Sequence, residues 1–138
     1  MWDPATPAIT SRLRGLVYIE ATLHGPSHDL HSGSYGGAVV NPANALTEVL
    51  GQLHDEDGKI QIEGFYDDVE EVSAEQITQW NSLGDADALT LESSGSKATF
   101  GEQGFSTLER LWSRPTCDIN GLRAGYQGEG AKTVIGAT

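Results

Sequence analysis

Nine consecutive residues, Asp29-Leu30-His31-Ser32-Gly33-Ser34-Tyr35-Gly36-Gly37, set one imidazole among small residues and three glycines. Glycine lets a backbone turn sharply and lets another surface come close, which is why such loops carry binding groups. His31 can polarise a carbonyl, ligate a metal or pack as an ordinary loop side chain, and the residues alone leave all three open. His24, His28 and Asp29 crowd the same stretch, and imidazole and carboxylate are both zinc ligands. A stand-alone histidine-cluster metal protein is therefore one reading. The spacing matches no compact zinc motif, because His24 falls on the face of a strand-like run and His28 follows a proline turn. Ser32 and Ser34 flank His31, yet a Ser/His/Asp hydrolase needs its serine on a strained turn with the base in reach. Neighbouring side chains on one loop rarely face each other. Residues 128–133 lack the Gly-Lys-Ser/Thr ending of a phosphate-binding loop, and Cys117 has no base beside it in sequence.

The elements that would hold the His31 loop lie on either side of it. Val17, Ile19, Ala21 and Leu23 alternate with Tyr18, Glu20, Thr22 and His24, which predicts a half-buried strand over 16–24, ended by Gly25-Pro26. After the loop, Asn41-Pro42 supplies an N-cap followed by proline at the first helical position. Ala45, Leu46, Val49, Leu50 and Leu53 then form one stripe, so a helix over 42–54 is expected to cover the strand at 16–24. A short edge strand is expected at 59–62 and an exposed turn over 64–69. The acidic run 67–75 reads as a solvated face, since its acids lack the alternation and central glycine of a calcium loop. Ser73 with Gln76, and Ser106 with Glu109, are capping-box patterns opening helices that carry Ile77, Trp80 and Leu83, and Leu108, Leu111 and Trp112. A further short helix is expected over 85–91, with a break at 93–96. Pro115 ends the last helix. Strands are expected at 116–122, bending at Gly121, and from Thr133 through Ile135.

A chain of 138 residues fits one domain with a single core. The expected organisation is one domain over 1–138, with 1–12 as an entering linker and 64–113 as a helix-containing excursion. The formal charge of −12 opposes binding to nucleic acid and to anionic membrane surfaces. No stretch approaches the roughly 18 apolar residues of a membrane span, and the first residues lack the pattern of a signal peptide. The single Cys117 suits a reducing compartment, and the cytoplasm is the expected setting. Cys117 itself is expected in the core.

Four blocks in order resemble one family: Ile9-Thr10-Ser11-Arg12-Leu13-Arg14-Gly15, the Asp29–Gly37 loop, Arg114-Pro115-Thr116 with Asn120-Gly121, and Gly128-Glu129-Gly130-Ala131-Lys132-Thr133-Val134-Ile135. Together they resemble the co-catalytic zinc dipeptidases that include carnosinases, aminoacylases and succinyl-diaminopimelate desuccinylase. The likeness is strongest to the carnosinase-like bacterial dipeptidases and covers nearly the whole chain. It is confined to the lid or dimerisation domain that such enzymes carry inserted in a catalytic domain holding two zinc ions. It implies an α+β fold with helices packed on one face of a sheet, a ferredoxin-like lid short of its last strands and helix.

The resemblance further implies a homodimer formed through the lid, with the catalytic domain of the same enzyme and a dipeptide substrate as the other partners. His31 would cross to the partner's active site, bind the scissile carbonyl and stabilise the developing oxyanion, and Thr133 would also contact substrate. No metal ligand is expected in this chain: the family's zinc-binding aspartate would precede Met1, and its carboxylate-gripping arginine would follow Thr138. The chain by itself is therefore expected not to hydrolyse peptides. A non-catalytic dimerisation or binding module is the alternative reading. One departure is Gly136, where the family continues Thr-Val-Ile with proline.

Overall fold

The computed structural model describes residues 6–138. Among these the order of elements is β1 (Leu30–His31), α1 (Ser32–Tyr35), α2 (Pro42–Gly51), α3 (Ala74–Asn81), α4 (Ala86–Ser94), α5 (Thr107–Trp112) and β2 (Val134–Ile135). The protein is a small α+β fold with an antiparallel pair of strands in which Leu30 faces Ile135 and His31 faces Val134.

The chain divides into two compact units. One contains the described residues up to Tyr18 together with Asp57–Lys59 and Gly64–Thr116, and so holds α3, α4 and α5. Its helices start where the capping residues direct. Ser73 accepts from the Gln76 amide, Asp85 from the Ala88 amide, and Ser106 from the Glu109 amide while the Glu109 carboxylate accepts from the Ser106 amide. Each cap satisfies amides that a helix start leaves without an internal partner. Helix α4 stops at Gly95, whose φ of 68° is the left-handed end that glycine adopts freely. Leu108 is buried, and Trp80 meets Trp112 edge to face at 5.3 Å. The Arg114 guanidinium donates to both oxygens of Glu102 at 2.8 Å and lies over the rings of Phe105 and Tyr66. That clamp joins the 64–66 turn to the end of α5.

The second unit contains Ile19–Glu56, Ile60–Glu63 and Cys117–Thr138. Here α2 begins as the sequence directs, with Asn41 accepting from the Ala43 amide and Pro42 opening the helix. Its bounds fall short of residue 54, because the Gln52 and Leu53 amides already turn back to the carbonyls of Val49 and Leu50. An isolated bridge between His54 and Ile60 follows, in place of the edge strand expected at 59–62. Pro42, Ile60 and Ile135 are buried in this unit.

Two expected strands do not form among the described residues. The 16–24 run pairs with nothing, and Val17 and Ile19 remain 82% and 78% exposed. Helix α2 accordingly does not cover a strand there. Alternation specifies which faces a strand would show, whereas a strand exists only when a neighbour accepts and donates its ladder of hydrogen bonds. The 116–122 segment is likewise without a ladder, and Ile119 and Leu122 are exposed. Cys117 is half-buried. No helix of the described residues is long and apolar enough to cross a membrane.

Candidate functional site

The pairing of β1 with β2 joins residues about a hundred positions apart in sequence, and His31 sits at its end. His31 is the last residue of β1 and the residue before α1, with extended backbone angles. The Ser32 amide donates to the Thr133 carbonyl at 3.0 Å, so the ladder continues past β2 on that side. On the other side the Gly25 amide donates to the Ala137 carbonyl at 2.8 Å, and the Ala137 amide donates to the Asp29 carboxylate at 2.9 Å. The segment 133–137 is thus held at both ends, and its register against Leu30 and His31 is defined.

That register brings Thr133 Oγ1 to 3.2 Å from His31 Nε2. Both residues are exposed. The pair is held by a hydrogen bond whose direction follows the imidazole tautomer: the ring N–H donates to the hydroxyl, or the hydroxyl donates to a bare nitrogen. The ring also lies close over Gly33. A Cβ on Gly33 would sit 2.7 Å from His31 Cε1 and 3.0 Å from Nδ1. A side chain at position 33 would therefore collide with the imidazole in its present rotamer, while the helical backbone, whose φ is not positive, makes no demand for glycine.

The other candidate groups stand apart from this pair. The His28 Nδ1 is hydrogen-bonded to the Ser27 hydroxyl at 3.0 Å. Among the described residues no three His, Cys, Asp or Glu side chains form a group able to hold a metal ion. The zinc ions implied by the family resemblance therefore find no ligand set among the described residues. In sequence Asp29 reads as a loop acid and a member of the candidate zinc cluster. Its work as a backbone clamp on Ala137 depends on a segment that arrives from the far end of the chain.

Gly136, where the family resemblance leads one to expect proline, is buried against the turn at Gly125. A Cβ on it would lie 3.3 Å from Gly125 Cα and 3.1 Å from the Thr138 carbonyl oxygen. Two stretches of backbone approach closely at this point.

A family model described as the peptidase dimerisation domain matches residues 12–138. The chain belongs to that family. This dimerisation domain is 34% identical over 131 residues to the Cys-Gly metallodipeptidase DUG1 of Candida albicans, covering 95% of this chain and 27% of that protein. It is 32% identical over 133 residues to the human Beta-Ala-His dipeptidase, covering 94% of this chain and 25% of the relative. Its fold superposes on the solved structure of the di-peptidase Dug1p from Saccharomyces cerevisiae with a TM-score of 0.67 and 34% identity, over 83% of this chain and 24% of that one. The dimerisation domain spans about a quarter of the length of the relatives it matches.

Proposed function

We propose that this chain is the lid of a zinc-dependent dipeptidase and lends His31 and Thr133 to a substrate held in a partner subunit. The observation that carries the reading is the exposed pairing of His31 Nε2 with Thr133 Oγ1 at 3.2 Å, fixed at the end of the β1–β2 ladder. An imidazole N–H and a hydroxyl this close can both donate to one incoming oxygen, exchanging their mutual bond for two bonds to the ligand. A scissile carbonyl gains negative charge on its oxygen as it is attacked, so donors fixed at that point bind the transition state better than the substrate. A single donor of this kind contributes about 3 kcal/mol, or roughly a hundredfold in rate.

Hydrolysis is then a property of the assembly. The zinc ions and the general base belong to a catalytic domain of a longer polypeptide, and residues 1–138 act as one ferredoxin-like lid within it. In that lid the alternating 16–24 run is a strand that finds its partner in the complete enzyme. Homodimerisation is supported by the family description and by the exposed apolar side chains of Leu13, Leu16, Val17 and Ile19. The substrate class is dipeptides, as the names of the relatives suggest, and the single Cys117 suits a cytoplasmic setting.

The test is His31→Ala in the full-length enzyme. Turnover is expected to fall about a hundredfold while bound zinc, measured by elemental analysis, stays at the wild-type ratio. Unchanged turnover would remove the carbonyl-binding role, and loss of metal would assign His31 to a ligand set instead.

A further inference from the structure

We infer that Gly33 is a positioning residue whose missing side chain sets the imidazole of His31 against Thr133. The inference deepens the reading above and rests on it for its catalytic consequence. The ring of His31 is set between two points: Nε2 meets the Thr133 hydroxyl at 3.2 Å, while Cε1 and Nδ1 lie against the place a Cβ on Gly33 would take. A methyl group at position 33 would stand 2.7 Å from Cε1 and 3.0 Å from Nδ1, well inside van der Waals contact. Apart from chain neighbours and the helix's own backbone, the three atoms nearest to that methyl all belong to the His31 ring.

The backbone makes no demand of its own for glycine. Gly33 lies inside α1 and is absent from the positive-φ glycines, in contrast to Gly37, whose φ is 82°. Alanine is the better helix former, so by local preference it would be favoured at position 33. The closest contacts an alanine would make fall on the ring. His31 is exposed, and an exposed ring relieves such a clash by turning to another staggered rotamer, which carries Nε2 away from Thr133. Two effects of opposite sign therefore meet at one atom: the helix gains and the donor pair is lost. A glycine kept for chain flexibility would show the helix gain without the loss of the pair.

The experiment compares Gly33→Ala, His31→Ala and the double variant of the 138-residue chain by NMR. In the wild-type chain the imidazole protons are expected to show cross-peaks to Thr133. In Gly33→Ala those cross-peaks vanish while the helical signal and the unfolding midpoint are retained. The same substitution in the His31→Ala background is expected to leave the midpoint equal or higher, because the ring it collides with is gone. Persistent His31–Thr133 cross-peaks in Gly33→Ala would overturn the inference. Should Gly33→Ala unfold the chain, recovery of the fold in the double variant supports the steric account, and failure of the double variant to fold overturns it.

Activity of the full-length enzyme separates this inference from the reading beneath it. Gly33→Ala is expected to lower turnover at least tenfold, with no further loss when added to His31→Ala. If His31→Ala lowers turnover and Gly33→Ala does not, the positioning role fails and the carbonyl-binding role stands. If neither lowers turnover while the cross-peaks vanish as expected, the positioning role stands and the carbonyl-binding role fails.

Discussion

Replacing Arg114 with alanine probes what holds the helical unit together. Its guanidinium donates Nε to one Glu102 oxygen and an NH2 to the other, both at 2.8 Å, with the two side chains only 17% and 12% exposed. Its carbon centre stands 4.2 Å from the Phe105 ring centroid and 4.8 Å from that of Tyr66. An exposed ion pair of the kind made by Arg12 and Glu70 contributes at most about 1 kcal/mol. The sheltered pair differs, because removing the arginine leaves a carboxylate both desolvated and unpartnered, which costs about 3 kcal/mol. Loss of the two aromatic contacts adds about 1 kcal/mol. Arg114→Ala is therefore expected to cost about 4 kcal/mol, and Arg114→Lys about 2 kcal/mol, since lysine keeps the charge but has no planar fork. Urea unfolding followed by tryptophan fluorescence, to which the Trp80–Trp112 pair contributes, measures both. A double variant with Glu102→Gln should fall short of the summed single losses by about 2 kcal/mol. A loss below about 1 kcal/mol for Arg114→Ala would mean that the pair behaves as a surface contact, and the clamp argument would be refuted.

Other consequences follow from single contacts. Asp29→Ala removes the acceptor for the Ala137 amide and is expected to cost about 1 kcal/mol, read as faster amide exchange at Ala137, while Asp29→Asn keeps an acceptor and retains most of the protection. Equal exchange in all three proteins would deny Asp29 its part in fixing the register. The Glu75 carboxyl is held below the usual carboxylate range, chiefly by its backbone hydrogen bond and then by the Ser73 hydroxyl. Its small contribution to α3 is thus present above the ordinary carboxylate pKa and is lost as pH falls through the lowered one. An NMR titration should find Glu75 moving back toward the ordinary value in Ser73→Ala. Light scattering of the chain is expected to show a dimer whose population rises with concentration, and a monomer throughout would count against association through this domain.

Helix starts were written in the chain itself. Asn41 with Pro42, Ser73 with Gln76, Asp85, and Ser106 with Glu109 each act on amides within three residues, so local sequence contains both partners of every contact. Helix α1 escaped notice because Ser32-Gly33-Ser34-Tyr35 has neither a capping side chain nor an apolar stripe, and its start rests on extended backbone at His31. The alternation over 16–24 carried a period but no partner, and the described residues supply none.

By itself the sequence determined where the capped helices start, the acidic charge of −12 and membership of a family through its ordered blocks, and it singled out the His31 loop as a candidate place for chemistry. Only the tertiary structure decided that Thr133 stands beside His31, because a hydrogen bond between residues 102 positions apart depends on strand register. A slip of one residue would turn every side chain of the segment to the other face. Register here is set by Leu30 against Ile135 and by the Asp29 clamp on Ala137, contacts that no local pattern contains.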